Sequence, residues 1–74
     1  MKNRIRIERA ILDITQADLA ERIKVSRQTI NAIESNKYVP STVLALKIAR
    51  LFGKPVEEVF ELEENDWVNI FVNI

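Results

Sequence analysis

The sequence predicts a mainly α-helical bundle completed by a short β-strand at its C-terminal end. Three observations predict it. Apolar residues recur at helical spacing through the middle of the chain, a hydroxyl-bearing cap precedes each of those stretches, and both ends alternate apolar with polar residues instead. With one Gly and two Pro in 74 residues, long helices joined by short links are expected. A chain of this length makes one small domain, which buries only about 60% of the surface its unfolded form exposes.

The elements follow in order. Arg4-Ile5-Arg6-Ile7 alternates and reads as a strand at the start. Thr15 then caps a helix over Gln16–Ile23, with Asp18 three residues on as a short capping box, and Leu19, Ala20 and Ile23 make its apolar stripe. Ser26 caps a helix over residues 27–35, whose stripe is Ile30 and Ile33. Ser41, after Pro40, caps Thr42–Phe52, where Leu44, Ala45, Ile48, Ala49 and Phe52 follow i, i+3, i+4, i+7 spacing, and Gly53 stops it. Pro55 opens a last short helix over residues 55–60, with Glu57 and Glu58 at its positive end. Val68, Ile70, Val72 and Ile74 share one face of an alternating tail, which reads as a strand. An apolar strand needs a partner, either the N-terminal segment or a second copy of the chain.

Composition excludes several functions. There is no Cys and no His, which removes a disulfide framework, a thiol nucleophile, a Cys/His zinc site and His-based acid–base chemistry. No metal, cofactor or small-molecule effector is called for, and the scattered carboxylates give no pairing expected of an enzyme. No apolar run is long enough for a membrane span and no signal-peptide pattern opens the chain, so a cytoplasmic protein is expected. The zero net charge is a cancellation. Residues 1–54 hold all eleven Lys and Arg with five acids, a formal +6, whereas residues 55–74 hold six acids and no base, a formal −6. A local basic face, not the average, sets the field that a phosphate backbone meets.

A short helix, a tight link and a second helix beginning Ser26-Arg27-Gln28-Thr29 have the sequence form of a helix-turn-helix. Ala20 is small enough for a close helix crossing, and Val25, Ile30 and Ile33 fill the wedge between the two helices. The second helix shows a polar face of Arg27, Gln28, Thr29, Asn31 and Ser35, the residue types that pair with guanine, adenine, thymine and phosphate.

The stretch ITQADLAERIKVSRQTINAIESNKYVPS, followed by LALKIARLFG and PVEEVF, resembles the Cro/repressor-type, or Xre, helix-turn-helix family, in particular its small stand-alone regulators. The resemblance covers about residues 4–62 and implies a five-helix bundle. It implies that Arg27, Gln28 and Asn31 face base edges. Gln16, Ser26, Thr29, Asn36, Lys37 and Tyr38 would meet the sugar-phosphate backbone, although Tyr38 has packing against Pro40 as its plain alternative. Arg9 and Glu34 match a pair that ties the first helix to the reading helix. Three positions depart from the family pattern. Lys24 stands where glycine is usual in the turn, Glu8 stands where an apolar residue is usual and favours a strand before the first helix, and the tail from Trp67 lies outside the shared domain.

Together these readings predict a sequence-specific, double-stranded DNA-binding transcriptional repressor, acting as a homodimer on a palindromic operator. Residues 1–62 would form the DNA-binding domain, and residues 63–74 an acidic segment and apolar strand that dimerise it. Leu46, Leu51, Trp67, Ile70, Phe71 and Val72 are the expected dimer contacts. The alternative is a protein-interaction module, an antitoxin or adaptor, that adds its C-terminal strand to a partner's sheet.

Overall fold

The computed structural model describes residues 1–67. Strand β1 (Lys2–Asn3) leads into helices α1 (Ile5–Leu12), α2 (Gln16–Ile23), α3 (Arg27–Glu34), α4 (Thr42–Phe52) and α5 (Val56–Val59), then strand β2 (Phe60–Glu61), and residues 64–67 are again helical. β1 and β2 pair antiparallel, Lys2 opposite Glu61 and Asn3 opposite Phe60. Among the described residues no helix is long and apolar enough to cross a membrane.

Caps account for the helix starts. Thr15 and Asp18 form a complete capping box on α2, and the Ser26 and Ser41 hydroxyls accept from Thr29 N–H and Leu44 N–H on α3 and α4. The helix ends share one device. After each of α1 to α4 a residue turns left-handed (Asp13, Lys24, Asn36 and Gly53, with φ of 55°, 63°, 61° and 68°). Its N–H and that of the next residue return to carbonyls of the last turn, as with Asn36 to Ile33 at 3.1 Å and Lys37 to Ala32 at 2.9 Å. Asp and Asn tolerate this conformation and Gly adopts it freely; Lys24 carries a cost of about 1–2 kcal/mol. The departure at Lys24 is therefore a strained residue in an otherwise ordinary turn.

Every helix contributes to the core. Ile5, Leu19, Ile30, Ile33, Ile48 and Val59 are fully buried, and Val25, Ala45, Leu51 and Val56 pack around them. Burying such a side chain is worth about 1.5–3 kcal/mol.

The two ends correct the sequence reading. The Arg4-Ile5-Arg6-Ile7 alternation is helical from Ile5 onward, and the strand before it is only Lys2–Asn3. Four alternating residues fit a helix equally well once Ile5 points inward and Ile7 outward, and here Ile5 is buried while Ile7 is half exposed. Glu8 does not unmake the helix. It is 2% exposed, and its Oε2 accepts from Lys54 Nζ at 2.7 Å, with Arg4 Nε at 3.9 Å.

The sheet that closes the described chain was not read from the sequence: β2 begins where Phe60 leaves the helix for an extended conformation (φ −122°, ψ 136°) and pairs with β1. The last helix is accordingly Val56–Val59, with Pro55 as its cap. The segment read as self-repelling is in part neutralised. The Met1 ammonium lies 2.9 Å from Glu63 Oε1 and 3.2 Å from Asp66 Oδ2, and Glu63 N–H donates to Asp66 Oδ2 at 2.7 Å to start the helical residues 64–67. Trp67 is thus helical, not part of a strand. The tail strand expected over residues 68–74, with Ile70, Phe71 and Val72, lies outside the described residues.

Candidate nucleic-acid interface

Gln16 begins α2, and Arg27 and Gln28 begin α3 (both ends carrying the unpaired backbone N–H groups that favour anions). Ala20 of α2 is buried, α2 and α3 pack against each other, and Gln16, Arg27, Gln28 and Asn31 line one surface depression. Gln16 Nε2 donates to Asn31 Oδ1 at 3.2 Å, which leaves the Asn31 NH2 group facing outward as a donor. Ser26 Oγ lies 2.9 Å from Thr29 Oγ1 beside the α3 start.

Behind this surface Glu34 acts as a hub. Its side chain is 1% exposed and accepts from Arg9 Nε at 2.7 Å and Nη2 at 3.0 Å, and from Gln16 Nε2 at 3.4 Å. Arg9 also donates to the Ile14 carbonyl at 3.0 Å, which ties down the link between α1 and α2. Burial pushes the Glu34 carboxyl up, but the bonds from Arg9 and Gln16 and the charges of Arg9 and Arg6 together outweigh it and hold it below the usual carboxylate range. The bond to Glu34 raises Arg9 correspondingly. One buried carboxylate therefore orients α1, α2 and α3 at once.

Asn36, Lys37 and Tyr38 stand exposed in the link after α3. Tyr38 is half exposed and lines a small cleft with Met1, Asn3, Val39, Pro40 and Phe60. Leu46 is 52% exposed and Trp67 49% exposed, whereas Leu51 is half buried against the core.

Polar residues at two converging helix starts, locked from behind by a buried ion pair, agree with the match of residues 5–59 to a family model described as helix-turn-helix. The chain belongs to the Cro/repressor, or Xre, helix-turn-helix family. It is 50% identical over 66 residues to an uncharacterized HTH-type transcriptional regulator of Methanocaldococcus jannaschii, covering 89% of this chain and 100% of that one. It is 47% identical to the uncharacterized HTH-type transcriptional regulator YgzD of Bacillus subtilis, with coverages of 89% and 100%. A third relative, from Methanothermobacter thermautotrophicus, is 47% identical with coverages of 88% and 96%. Membership of this family makes the protein a DNA-binding transcriptional regulator.

Sequence reasoning on this Xre-type regulator missed several residues. Arg6 Nε lies 3.6 Å from Glu34 Oε1 at the exposed edge of the hub. Arg22, Lys24, Lys47 and Arg50 surround a groove floored by Ile23 and Leu51, and none of the four makes an ion pair among the described residues. Their i, i+3 spacing on α4 was a legible signal, but their meeting with α2 was not. Asn3, at the chain start, donates to the end of α3.

Proposed function

We propose that this protein is a repressor that binds a palindromic operator as a homodimer. Arg27, Gln28 and Asn31 read base edges, and Gln16, Ser26, Thr29, Asn36, Lys37 and Tyr38 hold the sugar-phosphate backbone. The observation that carries this reading is the depression shared by Gln16, Arg27, Gln28 and Asn31, in which four hydrogen-bonding side chains converge, three of them at the starts of α2 and α3. The Arg9–Glu34 pair presents them; it is an orientation device more than a source of net stability.

Residues 1–62 constitute the DNA-binding unit and residues 63–74, with Leu46 and Leu51, the dimerisation element. The half-exposed Leu46 and Trp67 support this, as does weak binding by one small helix-turn-helix at physiological salt. Two copies about a two-fold axis read half-sites about 34–36 Å apart.

Selection of sites from random DNA tests the whole reading, because it reports binding, half-site spacing and symmetry together. Arg27→Ala and Gln28→Ala each relax preference at one position of each half-site, by about 1–3 kcal/mol. Lys37→Ala weakens all sequences alike and lowers the salt slope by about one. Unchanged preference in both reading-helix variants would exclude α3 as the reader. Removal of residues 67–74 yields monomers with reduced operator affinity, and a persisting dimer refutes the role of the tail.

A further inference from the structure

We propose that Asn3 is a positioning residue for DNA binding, a clamp that connects the β1–β2 sheet to the link after the reading helix. The proposal rests on the reading above, in which Asn36, Lys37 and Tyr38 meet the DNA backbone.

Asn3 is anchored from its own side by pairing. It stands opposite Phe60 in the sheet, and the next residue, Arg4, donates its N–H to the Val59 carbonyl at 2.9 Å. From this fixed base the side chain crosses to α3. Nδ2 donates to the Ile33 carbonyl at 2.9 Å and to Asn36 Oδ1 at 3.2 Å, while Oδ1 accepts from Ile5 N–H at 3.2 Å. Both donors and the oxygen are thus engaged, on three different segments of the chain.

Each bond falls where it matters for the link. The Ile33 carbonyl also accepts from Asn36 N–H at 3.1 Å, so Asn3 and the turn share that acceptor. Asn36 is the left-handed residue at which the chain leaves α3, with φ of 61°. Its conformation sets the direction in which Lys37 and Tyr38 emerge. Because Asn36 Oδ1 faces Asn3, the NH2 group of Asn36 is left to face an anion. A polar side chain 33 residues away in sequence therefore selects which face of Asn36 meets a phosphate and fixes the bearing of Lys37. Through β1 and β2 the same clamp joins the C-terminal half of the molecule to the DNA-contacting link.

Asn3→Ser is the test variant. Serine is neutral and keeps a side-chain oxygen that can make the same local turn bond to Ile5 N–H, but it is too short to reach Ile33 and Asn36. Binding to a selected operator is measured across a salt series for wild type, Asn3→Ser, Lys37→Ala and the double variant. Asn3→Ser is expected to weaken all sequences alike, to lower the salt slope by about one, and to lower that slope no further in the Lys37→Ala background. A variant that merely folds less well has a smaller active fraction with an unchanged slope, and that result overturns the clamp. So does an unchanged slope in Asn3→Ser when Lys37→Ala lowers it. If Lys37→Ala itself leaves the slope unchanged, the link does not meet DNA, and the reading beneath the proposal fails with it.

Discussion

Replacing Glu34 with alanine removes a carboxylate that is 1% exposed and accepts from Arg9 at 2.7 and 3.0 Å and from Gln16 at 3.4 Å. The Arg9 guanidinium, whose side chain is itself only 15% exposed, then keeps a single bond, to the Ile14 carbonyl. Stranding one member of a buried pair costs about 3–5 kcal/mol. Domains are stable by about 0.05–0.15 kcal/mol per residue, roughly 4–11 kcal/mol for this chain of 74 residues. Glu34→Ala therefore forfeits a large share of the total and is expected to be partly unfolded at physiological temperature. Replacing both partners, Arg9→Met with Glu34→Leu, strands no charge and is expected to recover near-wild-type stability. Urea unfolding at neutral pH followed by circular dichroism measures both, and the comparison is valid where the denaturant slope is unchanged. Glu34→Ala costing under about 1 kcal/mol, or a double variant as unstable as the single, would refute this account. Gln16 also loses its anchor in the double variant and no longer holds Asn31 in place, so sequence discrimination should fall although stability returns. Full discrimination there would show that the pair does not orient the reading surface.

The remaining expectations are narrower. The Glu34 carboxyl titrates lower in the folded chain than in the unfolded one, so its stabilisation is complete above about pH 4.3 and is lost as pH falls through the lowered folded value. Unfolding free energies measured between neutral and acid pH should decline more shallowly in Glu34→Gln than in wild type. Lys24→Gly relieves a left-handed strain and should raise stability by about 0.5–1 kcal/mol, after the entropy that glycine adds to the unfolded chain. Gly53→Ala meets no atom within 4 Å, so backbone conformation alone should lower stability, by about 1 kcal/mol. Thermal melts should move in opposite directions for these two variants, and a shift of the same sign would discount the turn argument. Ile48→Ala opens a cavity in the fully buried core and should cost about 2–5 kcal/mol without altering base preference in site selection.

The helix starts at Thr15, Ser26 and Ser41 and the stop at Gly53 were legible because a cap acts within one turn and its chemistry is local. The same locality misled at Arg4-Ile5-Arg6-Ile7. Two alternating pairs satisfy a strand or a helix, and the choice fell to Ile5 entering the core and Glu8 finding Lys54, 46 residues away. The polar face was legible as residue types on one helix, Arg27, Gln28 and Asn31, with Gln16 at the start of the helix before it, and the family resemblance added the Arg9–Glu34 pair. No spacing rule could show that Asn3 would hold the far end of that helix, or that Arg22, Lys24, Lys47 and Arg50 would enclose a groove.

By itself, then, the sequence determined the starts of α2, α3 and α4, the stop at Gly53, and which polar types line the outer face of α3. Only the tertiary structure decided that Phe60–Glu61 pairs with Lys2–Asn3, and which buried carboxylate and which amide tie α1, α2 and β1 to α3. The division has one physical cause. Periodicity and capping are set by neighbours within a few residues, whereas a hydrogen bond between Asn3 and Ile33 or an ion pair between Arg9 and Glu34 exists only after the core has brought distant backbone into register.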